Sequence, residues 1–416
     1  MMWKKTLALL FGFLVLASAV PLSRAQTETT TSLNLVILVS DNEADCALAQ
    51  KVAEYLNASI VVTPWGVYDP NVTSQIVTRA PDLVLIIGGP TAVSEEYEND
   101  LQDLGIPYVR RWGANRYETN LAVLQYLFEN YSELLKDVKV IIVNGEDITA
   151  IRKAGNIKGR AIIIYVDDDY LENQTQILDL LNATMVLIIN TPYSENVTER
   201  VRERVREKIK ANVTCENTTI TAEDALLAIQ IAENKTMLAE SLVANISIPA
   251  AEKLLENAKK HLERAKEAYN ETKYGRAYGL AIAAKSIAEV VIRMASEEKQ
   301  IMLHKNETMK IKIKLEKLED IVERLEELGF NVTEEKALLE QAEQAYENGD
   351  YALAKQLMGQ LKELIKTKYH NEKELIRARW KEKEKHHGEG REHKEKNCHG
   401  ECHHEDESEK EEGENS

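Results

Sequence analysis

Continuous apolar runs recur through the first half of the chain: Leu33–Ser40, Ile60–Val62, Leu83–Ile87, Ile106–Val109, Val138–Val143, Ala161–Val166 and Met185–Ile189. Each is short and rich in Val and Ile, the pattern of strands buried on both faces. Helical stretches separate them, over Ala47–Leu56, behind Thr91 and Ser94, over about Glu118–Tyr131, and from Ser194 to about Lys210. Gly105 follows Leu104 where a helix needs a left-handed end. Strand alternating with helix predicts parallel sheets. The order restarts at Val138, so two copies of one Rossmann-like α/β unit are expected over residues 33–210. The second copy is degenerate, with Asn190-Thr191 where the first has Gly88-Gly89.

From about Thr219 the apolar spacing becomes helical. Ala265-x-x-Ala268-Tyr269 followed by Tyr274 and Ala277 recurs as Ala342-x-x-Ala345-Tyr346 followed by Tyr351 and Ala354. Small alanines let two helices approach, and the tyrosines bracket the turn between them. Ile311, Leu315, Leu318, Val322, Leu325 and Leu328 mark one amphipathic helix, stopped at Gly329, with Asn331 and Glu334 as a capping pair for the next. Residues 219–370 are therefore expected to form an all-α antiparallel bundle of five to seven helices. From 371 the chain is charged. Glu374–Lys385 extends the last helix, and beyond His386 the composition predicts a disordered tail.

The remaining composition sets an address. Lys4 and Lys5, the apolar run Leu7–Val20 and the small residues around Ser23-Arg24-Ala25 read as a secretory signal over residues 1–25, with a polar linker at 26–32. No later run is apolar enough to span a bilayer, so no transmembrane segment is expected after signal cleavage. The net charge of −17 argues against a nucleic-acid partner. Asn-X-Ser/Thr triplets occur at Asn57, Asn71, Asn130, Asn173, Asn182, Asn196, Asn212, Asn217, Asn234, Asn245, Asn270, Asn306 and Asn331, a density that suggests a glycosylated exterior.

Two blocks carry a further signal. Ile86-Ile87-Gly88-Gly89-Pro90-Thr91-Ala92-Val93-Ser94-Glu95-Glu96 is followed by Arg110-Arg111-Trp112-Gly113-Ala114-Asn115-Arg116-Tyr117-Glu118-Thr119. Together they resemble the type 2 cell wall-binding repeat of prokaryotic surface proteins. The resemblance covers about residues 33–210; the helical part carries no assignment. It implies an α/β module that holds an anionic envelope polymer, and the sequons turn the expectation toward an archaeal surface protein. Arg110, Arg111, Arg116 and Tyr117 lie at the carboxyl end of a predicted strand, where open α/β sheets take ligands and arginine can grip an anion. Gly88 and Gly89 would cradle it or simply make a tight turn. The opposing reading is that Arg116 pairs internally, with Glu118 or an acid of the facing turn. The sequence departs from the family at Asp45-Cys46-Ala47, where Cys46 intervenes in the first turn, and shows about two repeats where three are usual.

Cys46 and Cys215, both in the exported region, are candidates for a disulfide. His386, His387, His393, Cys398, His399, Cys402, His403 and His404 form a metal-capable tail, suited to zinc, nickel or copper; the opposing reading pairs Cys398 with Cys402. No nucleophile, base or paired-acid pattern indicates catalysis, and no cofactor is required. The leading expectation is a secreted, glycosylated, non-enzymatic surface protein whose partner is an envelope polymer or surface-layer protein, self-association staying open. The alternative is an extracellular metal-binding protein acting through its tail.

Overall fold

The computed structural model describes residues 33–135, 138–167, 183, 185–208, 212–244, 246 and 248–388. The expected signal and linker over residues 1–32 lie outside them.

The first α/β unit runs β1 (Leu35–Ser40), α1 (Glu43–Leu56), β2 (Ser59–Thr63), α2 (Pro70–Arg79), β3 (Leu83–Ile87), α3 (Glu96–Leu104), β4 (Tyr108–Arg111), α4 (Arg116–Tyr131). Its strands are parallel in the order β2-β1-β3-β4, with Leu35 opposite Leu83. The second unit runs β5 (Lys139–Asn144), α5 (Ile148–Asn156), β6 (Ala161–Val166), β7 (Met185–Asn190), α6 (Glu195–Lys208), β8 (Asn212–Asn217), in the order β6-β5-β7-β8. The two orders are the same, so the repeat is real at the level of topology.

Strand β8 extends the second sheet beyond Lys210. Its residues are mostly exposed, and Asn, Thr and Glu fill it, so no apolar run marks it. Helices α2 and α5, not singled out in the sequence, each start at an aspartate cap: Asp69 Oδ1 accepts from Asn71 N, and Asp147 Oδ1 from Ala150 N.

Strand pleating assigns the two faces of the first sheet. Leu35, Ile37 and Val39 point toward α1 and α4 and share a core with the second sheet. Val36 and Leu38 point the other way, into a core completed by α2, α3 and the C-terminal helices.

Those helices are α7 (Ala222–Val243), α8 (Pro249–Asn270), α9 (Tyr274–Lys305), α10 (Glu307–Glu327), α11 (Thr333–Glu347) and α12 (Tyr351–Gly388). They do not form one bundle. Helices α7–α9 pack on one another around Ala228, Ala258, Ala265, Ala284 and Val291. Helices α10–α12 form a second set, whose Leu318, Val322, Leu361 and Ile365 join the core of the first sheet. Each set contains one Ala/Tyr hairpin. The bracketing rings lie 5.4 Å apart in Tyr269–Tyr274 and 5.8 Å apart in Tyr346–Tyr351. Gly349 takes the turn of the second at φ 76°, where Thr272 accepts φ 59° in the first. Asn331 makes a local turn, accepting from Thr333 N at 3.1 Å, and does not cap α11.

Candidate functional site

In an open parallel sheet, a crevice forms at the carboxyl ends of the strands where successive helices diverge to opposite faces. Here that point lies between β1 and β3 in the first unit and between β5 and β7 in the second. Both crevices are filled by polar side chains of the chain itself, and α9 supplies those that close them.

In the first crevice Ser40 Oγ donates to Asp45 Oδ2 at 2.9 Å. Asn42 caps α1, accepting from Ala44 N, and its amide donates to Glu289 Oε1 of α9 at 3.1 Å. Lys285 of α9 donates to Glu43 and stands 3.4 Å from Glu289. The Lys285 side chain is 5% exposed and that of Glu43 7%, so this triad is removed from water. Burial by itself would lift the Glu43 carboxyl, but the Lys285 ammonium outweighs it and holds Glu43 below its ordinary pKa. Burial would likewise depress Lys285, and the carboxylates of Glu289 and Glu43 raise it instead. Asp45 lacks such a partner. Burial pushes it up to about 6, with the Ser40 hydroxyl and Arg116 opposing.

In the second crevice Asp147 is the hub. Its Oδ2 accepts from Thr191 Oγ1 at 2.5 Å and from Ser194 Oγ at 2.6 Å, and its Oδ1 accepts from Tyr278 OH of α9 at 3.0 Å. The same tyrosine oxygen accepts from Thr149 N at 2.8 Å. Burial, together with the charge of Asp147, raises the Tyr278 phenol far above its ordinary value, so it stays a neutral donor. The residues that degenerate the second repeat, Asn190-Thr191, thus exchange a glycine turn for a hydrogen-bonded one.

The arginines singled out in the sequence are engaged internally. Arg110, whose side chain is 7% exposed, donates through Nε to Glu98 Oε1 at 2.9 Å and through Nη1 to the carbonyls of Gly88 and Val93, each at 2.9 Å. It holds the Gly-Gly turn in shape. Arg111 lies with its guanidinium 4.8 Å from the centre of the Tyr126 ring. Arg116 donates to the carbonyl of Gly145 at 2.7 Å and meets Glu289 at 4.0 Å; Glu118 instead accepts from Ala114 N.

The glycines follow the same logic. A Cβ on Gly89 would lie 2.8 Å from Trp112 Cε3, and one on Gly145 would lie 2.7 Å from Tyr117 Cε1. Gly88 sits at φ 120°. Arg116 and Tyr117 therefore grip the β5–α5 turn of the next repeat, and Gly145 is the socket that receives them. Sequence reading missed Lys285, Glu289 and Tyr278. A lysine and a glutamate four apart inside the alanine-rich run of α9 were the available signal.

Cys46 and Cys215 do not form a disulfide: both are free thiols. Cys46 is buried in α1 and donates to the Ser40 carbonyl at 3.2 Å, while Cys215 is exposed on the polar strand β8. Among the described residues no group of His, Cys, Asp and Glu could hold a metal ion. Of the metal-capable tail, His393, Cys398, His399, Cys402, His403 and His404 lie outside the described residues. His386 and His387 lie at the end of α12. Asn173, Asn182 and Asn245 also lie outside. Of the ten other sequon asparagines, nine are exposed and Asn71 is half-buried. No described helix is long and apolar enough to cross a membrane.

The chain is 36% identical over 200 residues to an uncharacterised protein of Methanocaldococcus jannaschii, covering 46% of this chain and 55% of that protein. It is 24% identical over 170 residues to an uncharacterised protein of Pyrococcus horikoshii, covering 39% of this chain and 50% of that one. The chain thus spans about half the length of the curated relatives it matches. Among solved structures, Cwp6 from Clostridium difficile aligns with a TM-score of 0.37 at 17% identity, over 46% of this chain and 30% of that one. No family model matches the chain, so the repeat resemblance rests on the two sequence blocks.

Proposed function

We propose that this protein is a non-catalytic component of the cell surface, in which the paired α/β repeats form a rigid platform associated with the cell envelope. The observation that carries the reading is the closed crevice. The place where such sheets usually take a ligand is occupied by Lys285, Glu289 and Tyr278 of α9, which bond to Glu43, Asn42 and Asp147 beneath them. Hallmark arginines Arg110 and Arg116 are spent on the Gly-Gly turn and on the joint between repeats, so they maintain shape in place of gripping a polymer. The exposed sequon asparagines on both the α/β and helical parts suit a glycosylated exterior.

The test is co-sedimentation of the whole secreted chain, residues 26–416, with envelopes isolated from the source organism, scored beside an unrelated acidic protein. Pelleting of the chain that survives Arg111→Ala is the expected result. A chain that stays in the supernatant at every salt concentration overturns the envelope reading.

A further inference from the structure

A cavity of about 270 Å³ opens beside the carboxyl edge of the first sheet, away from the filled crevices. Its floor is the β2–α2 loop and the start of α3; its walls are the end of α9 and the first turns of α10. Apolar atoms come from Val67, Leu242 and Ile313. Its charged groups are unusual. Lys299, Lys310, Lys314 and Lys317 all line it. Only Lys317 is paired: it donates to Asp100 Oδ1 at 2.5 Å. Asp100 is already committed, since its other oxygen accepts from Tyr68 OH and Thr73 Oγ1, each at 2.6 Å. Among the described residues, Lys299, Lys310 and Lys314 make no close ion pair, Lys310 and Lys314 acting on Glu307 only at longer range, and Glu96 is the sole unpaired acid on the wall.

Elsewhere in this protein of net charge −17, several exposed lysines meet acids. Lys259 pairs with Glu240, Lys266 with Glu233, Lys336 with Glu326 and Lys383 with Glu327. Three ammonium groups facing one partly apolar cavity repel one another, and the concave walls concentrate their field. Lys310, Lys314 and Lys317 of α10 also line a second cavity of about 340 Å³, where Lys355 and Lys362 are held by Glu307 and Asp103. Positive charge is therefore concentrated along the first half of α10.

We infer that the α3–α9–α10 cavity is a binding site for a small organic anion with an apolar body, its negative group held by Lys299, Lys310 and Lys314 and its body against Val67, Leu242 and Ile313. A few apolar side chains with convergent charged groups are the usual composition of a small-molecule site. The inference is independent of envelope association, and requires no chemistry at the crevices.

Isothermal titration of the whole chain with phenyl phosphate tests it, with phenol, inorganic pyrophosphate and benzoate as companions. Phenyl phosphate should bind and phenol should not; the rank of phosphate against carboxylate identifies the preferred head group. Lys310→Gln/Lys314→Gln should weaken phenyl phosphate about tenfold or more, as should raising salt from roughly 50 to 500 mM. Lys259→Gln/Lys260→Gln, at residues that do not line the cavity, should leave it unchanged. Ile313→Ser should weaken phenyl phosphate more than pyrophosphate. If the double variant loses its helical circular dichroism, the salt dependence of the intact protein decides. No binding at about 10 mM phenyl phosphate, or binding equal for phenol or insensitive to salt, overturns the proposal.

Discussion

Replacing Lys285 with Met tests whether the crevice is closed by charge. Methionine keeps the length and apolar stem of lysine and removes the ammonium, leaving the buried carboxylates of Glu43 and Glu289 with only Arg116, 4.0 Å from Glu289, and the more distant Lys235 to offset them. Breaking a buried ion pair from one side costs ~3–5 kcal/mol. For a cooperative body of roughly 330 residues each kcal/mol moves the thermal midpoint by only ~1.4 °C, so a fall of about 4–7 °C is expected near neutral pH. The pH dependence provides a second check. In the wild type Glu43 is held below its unfolded pKa, so its contribution is full above the unfolded value and is lost as pH falls through the folded one. In the variant burial is opposed only by Lys235 and a backbone N–H, so Glu43 rises and acid relieves the penalty by protonating it. The gap between variant and wild type should therefore narrow from about pH 7 to about pH 5. Differential scanning calorimetry, or guanidinium unfolding if the midpoint is too high, measures both. Adding Glu43→Gln should recover part of the loss. A single variant within about 2 °C of wild type near neutral pH would refute the argument that Lys285 closes the crevice.

Three further outcomes follow from the same geometry. Asp45 is raised to about 6, so its ionisation opposes folding: the penalty is absent below its unfolded pKa and grows as pH rises through the folded one. Asp45→Asn should remove that slope and gain up to ~3 kcal/mol above it, less what Arg116 loses, as read from unfolding curves between about pH 4 and 8. Gly89→Ala should destabilise by ~1–3 kcal/mol, since its Cβ would meet Trp112, and Trp112→Ala should rescue it; additive losses in a double-mutant cycle would count against that contact. Asn71 accepts from Arg324 and from Ser74 Oγ, and its sequon partner Thr73 is buried against Asp100. Glycopeptide mass spectrometry of the native protein should find sugar at exposed sites such as Asn234 and Asn270 and none at Asn71.

The sheets were legible because both faces of their inner strands are buried, which turns them into unbroken Val/Ile runs. Helix Glu43–Leu56 begins earlier than the apolar spacing indicates, since Asn42 caps it and acids fill its first turn. Strand β8 was invisible because an exposed edge strand needs no apolar residues. The Ala/Tyr repeat located both hairpins, yet their division into two sets depends on which faces meet the sheets, and local spacing holds no such information. The hallmark arginines were legible as residues that hold something. What they hold is the protein's own backbone, and a carbonyl such as that of Gly145 leaves no mark in a sequence. Lys285 reads as a solvated lysine until the fold sets it on an acid 242 positions away.

That separation has a consequence for how the protein is made. As the chain is made, the first repeat is complete long before α9 has been synthesised, and domains generally fold as units in the order they emerge. Until then Glu43, Asp45 and Arg116 must sit in an open crevice, kept in solution by the same hydrated charges that are later withdrawn from water. The repeat pair is thus a receptor before it is a scaffold, and its ligand is a helix carried on its own chain. Any abundant anion or cation competes for that crevice only during this interval, so salt should alter the rate at which the protein matures far more than the stability of the finished fold.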